Sequence, residues 1–227
     1  GLILSLENAL RDDVLEIVAR WKTPVVTVGG NECPPARARV TIDNASGAAA
    51  GMRLLLDKGH RQIAYLSGGT IYRDTHERLS GIDAALAGFG LSRNDIHVEH
   101  GSFSETFGHE ATARLLIERP DITAIFAGDD DVAAGALLAL KAAGKLVPED
   151  VSLLGFDDNF HARHLTPGLT TVRQPVDEAG LLLAILDGEP VAPVITIPTE
   201  LILRHSIGPV RGLSPTSRHV APALTAS

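Results

Sequence analysis

Hydrophobic positions along this chain alternate between two rhythms. Short apolar runs, among them "TPVVTVGG", "RQIAYLSGG", "DITAIFAGD" and "EDVSLLGFDD", read as strands buried on both faces. Between them the apolar residues recur at helical spacing. The first such stretch, "ENALRDDVLEIVARW", aligns Leu10, Val14, Ile17, Val18 and Trp21. A second runs from Ala45 to Lys58 and stops at Gly59. Then come "HERLSGIDAALAGFG", "ETFGHEATARLLIER" closed by Pro120, and "DVAAGALLALKAAG" ended by Gly144. "GLILS", "ARVTIDN" and "DIHVEHG" supply further strands, and a short helix from Val176 to Asp187 precedes the late strands "PVITIP" and "TELILR".

Strands alternating with amphipathic helices predict right-handed βαβ crossovers, hence an α/β protein with parallel sheets covered on both faces. The stretch from Gly208 onward is rich in Pro, Ser, Thr and Ala without periodicity, and little order is expected there.

Composition narrows the picture. With 227 residues and 44% hydrophobic content, the chain can bury a sizeable core in one large domain or two lobes. Lys and Arg number 20 against 28 Asp and Glu, a net charge of −8, so the cationic surface needed for phosphate-backbone contacts is missing. Cys33 is the only cysteine, which excludes an intrachain disulfide and a cysteine zinc cluster and suits a reducing compartment. No window approaches the ~18 consecutive apolar residues that span a membrane. The start, "GLILSLENALRDD", has neither a basic leader nor a cleavage site. A cytoplasmic location is the expectation.

Candidate chemistry follows from topology, because open α/β sheets bind ligands beyond the carboxyl ends of their strands. Asp129, Asp130 and Asp157 each follow an apolar strand at that edge, Phe103 follows "HVEHGS", and Arg78 lies just beyond "AYLSGG". A carboxylate accepts from two hydroxyls, an arginine donates to others, and an aromatic face covers the apolar side of a sugar ring. Asp130 and Asp131 read equally as helix-terminal caps, and Asp158 as a turn residue.

Catalysis finds less support. Adjacent carboxylates on an extended segment face opposite sides, so Asp157 and Asp158 are poorly placed to flank one bond. No G-x-S-x-G, P-loop or H-E-x-x-H occurs, and Gly29 with Gly30 makes no dinucleotide fingerprint. His97 with His100 and His161 with His164 read as surface histidines, no metal or cofactor is expected, and Cys33 has no evident nucleophilic role. An enzyme using Asp129 and Asp157 as acid and base is the rival that a raised carboxylate pKa and turnover would favour.

"VTIDNASGAAAGMRLLLDKGHRQIAYLSG", "RLSGIDAAL", "AIFAGDDDVAAGALLALKAAGKLVPEDVSLLGFDD", "LTPGLTTVRQP" and "LILRHS", in that order, resemble the effector-binding core of LacI/GalR-type transcription regulators. The resemblance covers nearly everything from Gly1 to Ser206. It implies a periplasmic-binding-protein-like fold of two Rossmann-like lobes joined by three crossovers, here near Ile42, Gln174 and Pro198. One lobe would comprise residues 1–42 and 174–197, the other 43–173 and 198–207, with 208–227 as tail.

The resemblance also implies a small-molecule effector, often a sugar or nucleobase, in the interlobe cleft. Arg78 matches the arginine that holds effector, Phe103 the aromatic that stacks on it, and Asp157 the first carboxylate of the G-[FY]-D motif. Gln174 stands at a crossover, and Asp129 replaces the asparagine usual in the family. The helix after Gln174 is about two turns shorter than usual. Expected partners are a second copy of the chain and operator DNA, the latter through a helix-turn-helix headpiece that this chain lacks along with the first strand, helix and second strand of the N-terminal lobe. That expectation makes the chain a fragment, with Ile3 on an unpaired edge strand. A periplasmic sugar-binding protein of a transport system is the alternative with the same fold.

Overall fold

The structure is a computed structural model that describes residues 1–5, 11–29, 33–174 and 192–210. Ten strands and six helices alternate along them. The first are β1 (Leu2–Ser5), α1 (Asp12–Ala19), β2 (Val25–Val28), β3 (Ala38–Ile42), α2 (Asn44–Asp57), β4 (Ile63–Ser67) and α3 (Arg73–Ala87). A 3₁₀ turn over Arg93–Asp95 leads to β5 (His97–His100), α4 (Glu105–Glu118), β6 (Ala124–Ala127), α5 (Asp130–Ala142) and β7 (Ser152–Asp157). The chain closes with α6 (Phe160–His164), β8 (Thr170–Arg173), β9 (Val194–Ile197) and β10 (Glu200–Ile202). The helix expected from Val176 to Asp187, Leu10, and the tail beyond residue 210 lie outside the described residues.

Two sheets result. The smaller has the order β1-β2-β3-β9 with every pairing parallel. The larger has the order β10-β8-β7-β6-β4-β5 and is parallel except where β10 runs against β8. β1 is an edge strand among the described residues. The chain passes from the small sheet to the large one after β3, returns between β8 and β9, and crosses again between β9 and β10. α/β architecture is therefore what the alternation of strand and helix patterns produces.

The larger sheet is the hydrophobic centre. β4 and β6 are buried at every position, as strands covered on both faces must be. Period-two alternation divides their side chains. Ile63, Tyr65, Phe126 and Leu154 pack with Met52, Leu55, Ile82 and Leu86 of α2 and α3. Ala64, Leu66, Ile125 and Leu153 pack on the other face with Leu115, Val132, Ala136 and Leu140 of α4 and α5. Each such fully buried Leu or Ile contributes about 1.5 to 3 kcal/mol.

His60, in the turn after α2, clasps this core from outside. Its Nδ1 lies 3.0 Å from Thr123 Oγ1 and its Nε2 3.0 Å from the Gly208 carbonyl. Burial holds its pKa below the usual value, although the Gly208 bond opposes this. Gly208, read from the sequence as the start of the tail, is thus tied into the sheet and also bonds Ser152. Its backbone N–H found a buried partner that local composition does not announce.

Candidate functional site

The five parallel strands of the larger sheet, β4 to β8, deliver their C-termini to the same edge, where a cleft of about 460 Å³ opens. Tyr72, Asp74, Arg78, Ser102, Phe103, Asp129, Asp157 and Gln174 line it. Of the six residues singled out from the sequence, Arg78, Phe103, Asp129, Asp157 and Gln174 meet here, from α3, the β5–α4 and β6–α5 connections, and the ends of β7 and β8, whereas Asp130 is buried behind the cleft wall and does not line it.

Arg78 sits in the second turn of α3 and is only 4% exposed. Its Nε donates to Asn44 Oδ1 at 2.9 Å and its Nη1 to the Gly128 carbonyl at 2.5 Å. Asn44 is itself oriented by donating to Glu77 Oε2 at 3.0 Å. The guanidinium carbon lies 3.8 Å from the centre of the Phe156 ring, a cation–π contact that covers one face of the group. Nη2 points toward Asp157 Oδ1 at 3.7 Å. The arginine is locked before any ligand arrives.

Asp157 ends β7 with φ 111°, and Asp158 follows with φ 56°. These two left-handed residues, and not the alternation of an extended strand, send the carboxylates apart. Asp157 turns into the cleft, where it receives a short hydrogen bond from Gln174 Nε2. Burial raises its pKa, while Arg78 and then Gln174 pull it down.

Asp158, read from the sequence as a turn residue, is also a buried anion whose side chain is 0% exposed. Arg173 Nε donates to it at 2.8 Å, Arg163 Nη2 lies 3.4 Å away, and Arg204 Nη2 makes a short contact. Burial works against its ionisation, but the bonds from Arg204 and Arg173 outweigh it and hold the pKa below the ordinary range.

Asp129 has two tasks. It is the N-cap of α5, with Oδ1 accepting from the Val132 N–H at 2.7 Å, and the same carboxylate lines the cleft. Burial pushes its pKa up to about 6, the cap bond opposes that, and the charge on Asp157 adds to it. The cap is thus Asp129, one residue before the pair for which capping was the sequence reading.

Asp130 is fully buried and structural. It accepts from Thr171 Oγ1 at 2.6 Å and from the Asn159 N–H at 2.8 Å, tying α5 to β8 and to the turn after β7. Burial raises its pKa to about 7 against those two bonds. Asp131 accepts from Asn159 Nδ2 at 3.1 Å.

Phe103 stands beside Tyr72, ring centres 5.7 Å apart, and 5.7 Å from the Arg78 guanidinium. The ring fits because residue 68 is glycine: a Cβ there would come within 2.1 Å of it. Tyr72, Asp74 and Ser102 were not singled out from the sequence. Asp74 precedes Arg78 by one helical turn on the same face, a signal available in the i, i+4 spacing. Asn44 and Phe156, which fix Arg78, carry no local signal.

Elsewhere His100 Nδ1 lies 3.1 Å from the Gly68 carbonyl, and His97 pairs with Glu99 at 3.7 Å. His164 stacks on Phe160, and the side chain of His161 lies outside the described residues. Among the described residues no three His, Cys, Asp or Glu are grouped to hold a metal ion. Cys33 is buried, and burial raises its thiol pKa. No helix of the described residues is long and apolar enough to cross a membrane.

Comparison with known proteins gives this architecture a lineage. The periplasmic binding protein-like domain family matches residues 52–207. The chain is 37% identical over 175 residues to the HTH-type transcriptional regulator GalR of Escherichia coli, covering 74% of this chain and 51% of that one. It is 36% identical over 173 residues to the regulator CelR of Thermobifida fusca, with the same coverage. The chain therefore spans about half the length of these relatives.

Among solved structures, a LacI family regulator of Enterococcus faecium with bound ribose superposes with a TM-score of 0.83 at 26% identity, over 92% of this chain and 80% of that one. A CelR–cellobiose complex superposes with a TM-score of 0.78 at 32% identity, over 91% and 65%. With the two sheets, the cleft at the strand ends and these matches together, the chain belongs to the periplasmic-binding-protein-like domain family, in the form carried by LacI/GalR-type regulators.

Proposed function

We propose that this chain is the effector-sensing part of a LacI-type DNA-binding transcriptional regulator and that it holds a small polyhydroxylated molecule, a sugar, in the cleft at the strand ends. One observation carries the reading: a cleft of about 460 Å³ in which carboxylate acceptors, a preset guanidinium and an aromatic face converge. That volume falls in the usual range for small-molecule sites of ~300 to 1,000 Å³. Arg78, Phe103, Asp129, Asp157 and Gln174 are its contacts in this proposal. Two solved relatives, one holding ribose and one cellobiose, support the same class of ligand.

In this reading residues 1–42 with 174–197 form one lobe, and 43–173 with 198–207 the other. Ligand binding favours one angle between them, and a homodimer passes that preference to headpieces that contact operator DNA in the cytoplasm. Gln174, at a crossover and bonded to Asp157, links the cleft to the connection between lobes.

Thermal melts of the chain with a panel of pentoses, hexoses, their phosphates and purines test the reading. Selective stabilisation by one sugar supports it, and a melt unmoved by every member overturns it. The acid–base reading has one observation in its favour, the pKa of about 6 at Asp129. Mass spectrometry of the incubated panel separates the two, since a sensor returns its ligand unchanged.

A further inference from the structure

We propose that the ligand of this cleft carries a positive charge, as an amine-bearing polyhydroxylated molecule such as an amino sugar does. The inference rests on the sugar-binding reading above and sharpens it.

Three carboxylates, Asp74, Asp129 and Asp157, line the cleft against one cation, Arg78. Part of that cation is already engaged. Its Nε and Nη1 are bonded to Asn44 and Gly128, its Nη2 faces Asp157, and its flat face lies on Phe156. Asp129 is more than nine-tenths buried, its Oδ1 is taken by the Val132 N–H, and its Oδ2 has no partner among the described residues. At Asp129 the wall offers a ligand negative charge and an open acceptor.

The N-terminus of α5 faces the same cleft and would by itself favour an anion. Asp129, Asp130 and Asp131 already occupy that cap and first turn, which removes the attraction and leaves repulsion for a phosphate. An ammonium group placed against Asp129 would be both a hydrogen-bond donor and a direct counter-ion, where Arg78 acts on that carboxylate without a bond. A neutral hydroxyl supplies only the first.

Calorimetric titration of the chain at neutral pH tests this, with glucose, galactose, glucosamine, galactosamine, N-acetylglucosamine and glucose 6-phosphate as probes. The expected result is that an amino sugar binds at least about tenfold more tightly than its parent hexose, the gain from one charged hydrogen bond. N-acetylation should abolish the advantage, and added salt should shrink it. Asp129→Asn should also remove it while leaving the fold intact, because the amide oxygen still caps Val132. If a neutral or phosphorylated hexose binds as well as the amine or better, the charge assignment fails and the sugar reading stands. Should none of the probes bind, both fail.

Discussion

Asp157 and Asp158 are neighbours in the chain and belong to two separate electrostatic neighbourhoods. Two successive non-glycine residues at positive φ cost on the order of 1 kcal/mol or more each, so something must hold them. Asp158 does, through Arg204 and Arg173. Asp158→Ala strands the largely buried Arg204 and should cost about 2 to 3 kcal/mol in chemical denaturation. That is below the usual range for a buried pair because Arg173 and Arg163 stay partly hydrated.

The pH dependence has a definite sign. A carboxyl with a depressed folded pKa contributes stability above its unfolded value of ~3.9 and loses it as pH falls through the folded one. Wild type should therefore lose stability more steeply than Asp158→Ala below about pH 4. Asp157→Ala should weaken sugar binding by about 1.5 to 3 kcal/mol, measured by calorimetry. Normal binding by that variant would remove Asp157 from the site. At this scale Asp129 and Asp157 were legible because each follows an apolar run, whereas Asp74, in the polar first turn of α3, was not. The arginines around Asp158 were not, since they arrive from positions 163, 173 and 204.

Elements were legible where their pattern was strong. α2, α4, α5 and strands β4, β6 and β7 follow from periodicity and from glycine or proline stops, within a few residues at each end. α3 begins at Arg73, a turn earlier than "HERLSG" suggests, because its first turn is polar and shows no apolar period. β8, Thr170–Arg173, is three-quarters threonine and arginine and becomes a strand by pairing with β7 and β10.

Helix packing was hidden in the sequence. At Gly135 of α5 an added Cβ would lie 1.9 Å from the Glu105 carbonyl oxygen and 2.7 Å from the His109 nitrogen of α4. Backbone cannot step aside as a flexible side chain does. Gly135→Ala should force α4 and α5 apart and lower stability by about 2 kcal/mol or more in urea unfolding, despite alanine's better helix propensity. An unchanged or raised midpoint would show that the two helices are free to separate.

For the whole molecule, charge and topology act separately. A net charge of −8 leaves no surplus of cations for phosphate contacts. Fluorescence anisotropy with a labelled duplex should show no binding by this chain at about 150 mM salt. A salt-sensitive rise would reveal a basic surface that the overall balance conceals.

The α/β class and the edge where a ligand binds were both present in the sequence. Strand and helix periods are local, and parallel sheets place every strand C-terminus on one side. Only the tertiary structure decided which of several adjacent acids faces the cleft, caps a helix or is buried among arginines. Those choices depend on backbone turns at Asp157 and Asp158, and on partners at 44, 128, 173 and 204, brought together by folding from distant parts of the chain.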